Sequence, residues 1–444
     1  MNGGYKRTVG RMKKNTGKMI GLVALLTIAI VLIYIFMFAN NTAVNDQEQN
    51  GNSPENPEEH ESNNGIVEND DTENEPTEDE KIAEFVNQMS LEEKIGQLII
   101  GGFEGTTMTK DAKQMIRDWK LGGIILFANN LETPEQSMEL LNGIKKENKD
   151  HPLPLFISVD QEGGRVTRLP ELSHLPTNLQ IGQSGNEENA YKYGELLANQ
   201  LHAFGFNMNF APVLDVNSNP NNPVIGDRSF GDDPRTVSDF GIQMMRAMQD
   251  SSIISAVKHF PGHGDTKEDS HESLPVINKT MEELSTLELL PFEQAISNGV
   301  DIVMTAHILL PEIDADYPAT LSPRVITNIL REQLGYNGVV ITDDLTMGAI
   351  TNDYGVADAS LLAIQAGVDL VLVAHGPEPI AETIERIRDA VESGELTEER
   401  INESVTRIVK LKNKYELNEE PVESIDIERL NQEIDSFNGL LGSE

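Results

Sequence analysis

The sequence contains no cysteine. That excludes disulfide bonds, thiol catalysis and a lipid anchor on cysteine, and it leaves the redox compartment open. Positive charge is scarce: 34 Lys and Arg stand against 73 Asp and Glu, a formal net charge of −39. Six of those cations lie within residues 1–18, so the rest of the chain is more acidic still. Such a surface repels nucleic acid and anionic polymers as general ligands. A neutral or locally recognised substrate is easier to accept. Neither a GxGxxG nor a P-loop pattern occurs, and there is no internal repeat.

What is present begins with a basic head. Residues 1–18 carry Lys6, Arg7, Arg11, Lys13, Lys14 and Lys18 and no acid. Residues 19–39, Met19 to Ala39, form an uninterrupted apolar or small-residue run of about 21 residues. As a helix that run is long enough for a hydrocarbon core of about 30 Å. The flanking cations would hold the N-terminus in the cytoplasm. The expectation is a single-pass membrane anchor with the remainder outside. A cleaved signal peptide, leaving a secreted protein, is the alternative. Residues 40–80 follow, Asn-, Glu- and Pro-rich, with fourteen acids and no Lys or Arg in Asn41–Glu80. They read as a disordered, self-repelling tether, too polar to offset its ordering entropy.

A globular pattern occupies residues 81–416. Ser90-Leu91-Glu92-Glu93 is a capping box that opens a helix. Eight strand-like runs then alternate with helical stretches: Gln97–Gly101, Gly123–Phe127, Leu155–Val159, Asn207–Leu214, Ile253–Val257, Asp301–Ala306, Gly338–Thr342 and Asp369–Ala374. Several are apolar on both faces, as parallel strands covered by helices must be. Thr133-Pro134 and Ser322-Pro323 open two of the intervening helices, and Gly335 closes the second. The alternation predicts an α/β fold, a (β/α)8 barrel, with a doubly wound open sheet as the alternative. A closing helix lies within Gly394–Glu416. Residues 417–444 are polar and acidic and read as a C-terminal tail.

In such a barrel, catalytic residues sit at the C-terminal ends of the strands. Here those ends carry Asp160-Gln161-Glu162, Asp215, Lys258-His259, His307 and Asp343-Asp344. The densest stretch is Lys258 to His271, KHFPGHGDTKEDSH, read as a loop that starts where the Ile253–Val257 strand ends and runs to a capping box at Thr280. Loops that long inside a compact domain are usually functional or disordered. Three readings compete: a solvated polar loop; a metal site using His259, His263, Asp265 and His271; and an acid/base site. The spacing matches no compact metal motif. Asp269-Ser270-His271 favours the third, since a carboxylate on one imidazole nitrogen fixes the tautomer and leaves the other nitrogen to move protons. Asp343, at a strand end, can attack an anomeric carbon. Asp344 beside it may serve only to cap the next turn.

KHFPGHGDT followed by DSH resembles the signature of glycoside hydrolase family 3, in its bacterial β-N-acetylhexosaminidase branch. Matching stretches span roughly residues 82 to 415. The resemblance implies the same barrel, a nucleophile at Asp343, and an acid/base at His271 supported by Asp269. DQEGGRVTR is similar to the family's sugar-binding strand end and implies Asp160 and Arg168. The stretch Asn222-Pro223-x-x-Gly226-Asp227-Arg228-Ser229-Phe230 implies Arg228, and Lys258 and His259 supply further donors. Arg165 is left to a structural ion pair, and His263 and Asp265 to buttressing the loop. The implied activity is retaining, exo-acting hydrolysis of terminal β-linked GlcNAc from peptidoglycan fragments (muropeptides), with no cofactor and no metal. Alternatives are β-glucosidase or β-xylosidase action, transfer to phosphate, and a non-catalytic wall-binding barrel.

Overall fold

Eight short runs of Ile, Val, Leu and small residues form the frame of the protein. The computed structural model describes residues 76–442. The strands are β1 (Ile99–Gly102), β2 (Gly123–Ile125), β3 (Phe156–Val159), β4 (Met208–Asn209), β5 (Ile254–Phe260), β6 (Ile302–Thr305), β7 (Val339–Asp344) and β8 (Leu370–Val373). Each pairs in parallel with its sequence neighbours. The ring closes through Ile99↔Val371 and Ile100↔Leu372, between β1 and β8. This is the (β/α)8 barrel, and the open-sheet alternative is ruled out. Residues of β1, β2, β3, β5, β6 and β8 are buried throughout, as strands lined on one face by the barrel interior and on the other by helices require.

The helix signals hold where they were local. Ser90 and Glu93 cap each other at the start of Leu91–Gln97. Thr133 caps Pro134–Asn148, and Thr280 with Glu283 caps Met281–Thr286. The Ser322 hydroxyl accepts from the Val325 amide, at the start of Arg324–Gln333, with Gly335 at φ 69° just beyond that helix.

Three segments differ from the sequence reading. The run Asn207–Leu214 yields only a two-residue strand plus an isolated Val213↔Lys258 bridge, because Pro212 has no N–H to give a ladder. Lys258 and His259 do not open a loop. They lie inside β5, buried, and the irregular stretch begins only after Phe260. The C-terminal residues are not a tail. Ile427–Leu441 is a helix that buries Leu430, Ile434 and Phe437, and Phe437 stacks on Tyr193 at 5.5 Å. Spaced at 427–441 with intervals of four and three, these apolar residues form one stripe within an otherwise polar segment.

At the end of the barrel away from the strand C-termini, Lys412 plugs the floor. Its Nζ donates to Gln97 Oε1 at 2.7 Å and to the Gly122 carbonyl at 2.9 Å, and sits 4.7 Å from the Phe156 ring centre. Among the described residues no helix is long and apolar enough to cross a membrane. The anchor expected at 19–39 and the tether at 40–80 fall outside the described residues, save for the last five positions of the tether. Of those, Glu78–Glu80 already belong to a helix that starts on the Thr77–Glu80 capping box.

Candidate active site

The strand C-termini surround a cavity of about 390 Å³. Asp160, Arg168, Arg228, Lys258, His259, His271 and Asp343 all line it. Asp269 stands behind His271 and braces it.

The floor is an ion network. β3 ends in Asp160-Gln161-Glu162, and Lys258 from β5 reaches across with Nζ 2.6 Å from Asp160 Oδ1 and 2.6 Å from Glu162 Oε1. Arg228 holds Glu162 in a two-point clasp, Nε to Oε2 at 2.8 Å and Nη2 to Oε1 at 2.7 Å. Burial alone would raise the Glu162 carboxyl; Arg228 and Lys258 overcome that and hold it far below the usual carboxylate range. Burial would likewise lower Lys258, but Asp160 and Glu162 keep it above the usual lysine value. Two cations are thereby fixed in position with their charge intact.

Arg168 is placed by a turn. Gln161 Oε1 accepts from the Arg168 amide at 2.8 Å, and the Gln161 amide donates to Asn209 Oδ1 at 3.0 Å. The turn needs Gly163, at φ 98°, where a Cβ would lie 1.7 Å from Tyr193 Oη. The Arg168 guanidinium has no carboxylate partner among the described residues, and its buried Nε has no acceptor. Arg165 points elsewhere, pairing with Asp227 at 3.0 Å and bonding the Val224 and Ile225 carbonyls.

Asp215, fully buried, organises the histidines. Its Oδ2 lies 2.6 Å from His259 Nδ1, and its Oδ1 accepts from the His263 amide at 2.6 Å. Burial would raise this carboxyl too, but His259 and His263 bring it below its ordinary value. His263 is enclosed: Nδ1 meets Thr266 Oγ1 at 2.9 Å and Nε2 meets Ser270 Oγ at 3.2 Å. Burial, with His259 beside it, pushes His263 down to about 4. Asp265 pairs with Lys279 at 2.9 Å, closing the root of the loop.

The histidines of the KHFPGHGDTKEDSH stretch therefore turn to separate partners: His259 to Asp215, His263 to Thr266 and Ser270, His271 to Asp269. Among the described residues no group of three or more His, Cys, Asp or Glu side chains could hold a metal ion.

The two adjacent aspartates of β7 have separate surroundings. Asp344 is consumed by structure. Its Oδ1 accepts from the Thr346 and Ala374 amides at 3.0 Å each, and its Oδ2 from the Thr346 hydroxyl at 2.6 Å. Asp343 takes one bond, from the Asp344 amide to Oδ1 at 2.8 Å, and faces the cavity. Burial would raise it; His307, His259 and Lys258 nearby hold it below the ordinary value, hence ionised at neutral pH. His307 is itself fixed, with Nε2 donating to the Asp344 carbonyl at 3.0 Å.

His271 is the exposed partner, with its side chain 65% accessible to solvent. Asp269 Oδ1 lies 2.7 Å from its Nδ1 and also accepts from its backbone amide at 2.9 Å. Its Nε2 has no hydrogen-bond partner among the described residues.

The structure also brings in residues to which the sequence reading gave no role. Glu162 and Asp215 were visible at strand ends, but what they pair with was not. Phe127 and His375 stack at 5.3 Å on the cavity rim, and His375 Nε2 lies 3.7 Å from Asp344 Oδ2. His375 follows β8 by two positions, so the strand-end rule could have found it.

A closed parallel barrel with paired carboxylate, imidazole and cations at its strand C-termini defines a barrel enzyme of the glycosidase type. Comparison with known proteins agrees. The family model described as "Glycosyl hydrolase family 3 N terminal domain" matches residues 90–411. Beta-hexosaminidase A of Pseudoalteromonas piscicida is 36% identical over 334 residues, covering 70% of this chain and 56% of that protein. The chain thus spans little more than half of that relative's length. Beta-hexosaminidase of Thiobacillus denitrificans is 37% identical over 64% of this chain and 79% of its own length. A solved family 3 beta-N-acetylglucosaminidase from Paenibacillus sp. FPU-7 superposes with a TM-score of 0.74 at 42% identity, covering 79% of this chain and 68% of that one. The chain belongs to glycoside hydrolase family 3.

Proposed function

We propose that the protein is a retaining exo-β-N-acetylglucosaminidase that acts on terminal β-linked GlcNAc of peptidoglycan fragments, outside the cell and tethered by residues 19–39. The observation that carries the reading is one cavity faced by an ionised Asp343 with little local engagement and by His271 oriented through Asp269. The names of the curated relatives and of the Paenibacillus structure support the GlcNAc side. The apolar run at 19–39 with its basic flank supports the location.

In the first step Asp343 Oδ2, the oxygen not engaged by the Asp344 amide, attacks the anomeric carbon. The bond to the leaving oxygen breaks as His271 Nε2–H protonates that oxygen. Asp269 holds Nδ1–H, so Nε2 is the atom that gives up and later regains the proton. In the second step the neutral imidazole takes a proton from water, and the water oxygen displaces Asp343 from carbon. Asp160, Lys258, Arg228 and Arg168 offer acceptors and donors to sugar hydroxyls and the acetamido group. An imidazole adds no negative charge beside Asp343, as a second carboxylate would.

One observation favours a second reading. The Arg168 guanidinium, without a carboxylate partner among the described residues, leaves room for an anion, which suits phosphate in place of water as acceptor. Chromogenic β-GlcNAc and β-glucoside substrates assayed side by side, with and without phosphate and with EDTA, separate the possibilities. The reading expects β-GlcNAc release with no need of phosphate and no loss on chelation. Preference for the glucoside, dependence on phosphate, or recovery only with Zn²⁺ would each replace it, and no turnover at all would favour a binding barrel.

A further inference from the structure

The loop bearing His271 rests against the one-turn helix Gly348–Thr351 that follows the Asp343 strand, and the contacts that hold it there are specific. Three successive carbonyls of the loop each accept a bond from the turn that follows β7. The Ala349 amide donates to Ser270 O at 3.0 Å, the Gly348 amide to His271 O at 3.2 Å, and the Asn352 side-chain amide to Glu272 O at 3.0 Å. The fit is close. A Cβ on Gly348 would lie 2.6 Å from His271 O and 2.9 Å from Glu272 O, nearer than real Cβ atoms come. On the other flank, buried His263 meets Ser270 Oγ. Among the described residues, the His271 side chain itself has only Asp269 as a hydrogen-bond partner. Its position is thus set through the backbone.

We infer that residues 348–352 form a latch that positions His271 over the cavity, with Gly348 and Asn352 as positioning residues. The inference rests on the reading of His271 as acid/base. The segment starts five residues after Asp343, so the nucleophile and the proton donor are registered to each other through one short turn. Gly348 is needed because its absent side chain is what lets the loop carbonyls approach. Asn352 is needed as a donor, since the exposed Glu272 carbonyl could otherwise turn to water.

Two measurements test this, on the whole protein with Gly348→Ala and Asn352→Asp. The second variant keeps the shape and removes the donor. Trypsin cutting after exposed Lys267, within the loop, reports docking without any substrate. Both variants should be cut there faster than the parent. Turnover of a GlcNAc alkyl glycoside, which needs protonation of its leaving oxygen, should fall on the order of 10²-fold, the cost of a misplaced catalytic group. Turnover of a dinitrophenyl glycoside in its first step should stay within a fewfold. Unchanged cutting at Lys267, or equal losses on both substrates, would overturn the latch. Should the parent cleave no GlcNAc glycoside, the functional reading fails, while the trypsin arm still decides whether residues 348–352 hold the loop.

Discussion

Asp343 and Asp344 are chemically identical and adjacent, yet their neighbours give them opposite roles. Three hydrogen bonds to Thr346 and Ala374 occupy Asp344, whereas Asp343 keeps an oxygen toward the cavity. Asp343→Asn should therefore nearly abolish turnover, since no covalent intermediate can form; Asp344→Asn should act mainly on stability, through its turn. His271→Ala should slow a poor leaving group by about 10²–10⁴-fold and an activated phenol far less. With the activated phenol the glycosyl-enzyme should accumulate, visible as a mass increment on the Asp343 peptide. Equal slowing of both with no trapped intermediate would make His271 a binding residue. Asp269→Ala should act in the same direction, more mildly. His263 gives a pH prediction. Burial depresses it from 6.5 to about 4, so between those values the unfolded chain binds a proton that the folded one does not. Stability must fall as pH drops from 6.5 toward 4, by roughly 3 kcal/mol from this residue once both pKa values are passed. Urea midpoints measured across that range should drop less in His263→Asn than in the parent, and parallel curves would show that His263 is not the source.

At the scale of elements, the C-terminal helix Ile427–Leu441 supports the site from outside. Phe437 stacks on Tyr193, whose hydroxyl donates to the Pro176 carbonyl and abuts Gly163 in the turn that carries Arg168. Phe437→Ala removes a buried ring and should cost about 3 kcal/mol, read as a lower urea midpoint with an unchanged slope. A loss below ~0.5 kcal/mol would mean that the helix is only loosely docked. The loop after β5 shows a second element-level device. Lys279, paired with Asp265 and Glu288, pins its root, and His263 pins its middle. His271 between them stays exposed, as a group that must meet substrate needs.

For the whole molecule, charge and topology matter most. The formal net charge of −39 becomes −45 outside residues 1–18, where 28 Lys and Arg stand against 73 Asp and Glu, and the anchor proposed at 19–39 has a direct test. Protease shaving of intact cells should release an active fragment beginning near residue 80, leaving residues 1–39 with the membrane fraction. Activity accessible only after lysis would refute the outward placement. The described barrel is also stabilised from below by Asp369, which collects Arg331 at 2.5 Å and Arg407 at 3.0 Å around the base of β8.

The eight alternating runs, the capping boxes at Ser90 and Thr280, and the placing of Asp160 and Asp343 at strand C-termini were legible in the sequence because each depends on near neighbours in the chain. Period, cap and turn chemistry are local. The resemblance of KHFPGHGDT…DSH singled out His271 in the same way. Boundaries were less legible. β5 runs three residues past Val257, since Lys258 finds Asp160 and Glu162 across the barrel and can stay in the strand although charged. The C-terminal helix was hidden because its three buried residues are a minority in a polar segment, and only the groove beside Tyr193 gives them a partner. The tertiary structure alone decided that Asp215 orders His259 and His263, that Glu162 locks Arg228, and that Gly348 sits against the His271 carbonyl. Those pairings join residues far apart in sequence. No local propensity encodes them, and they exist only once the barrel has closed.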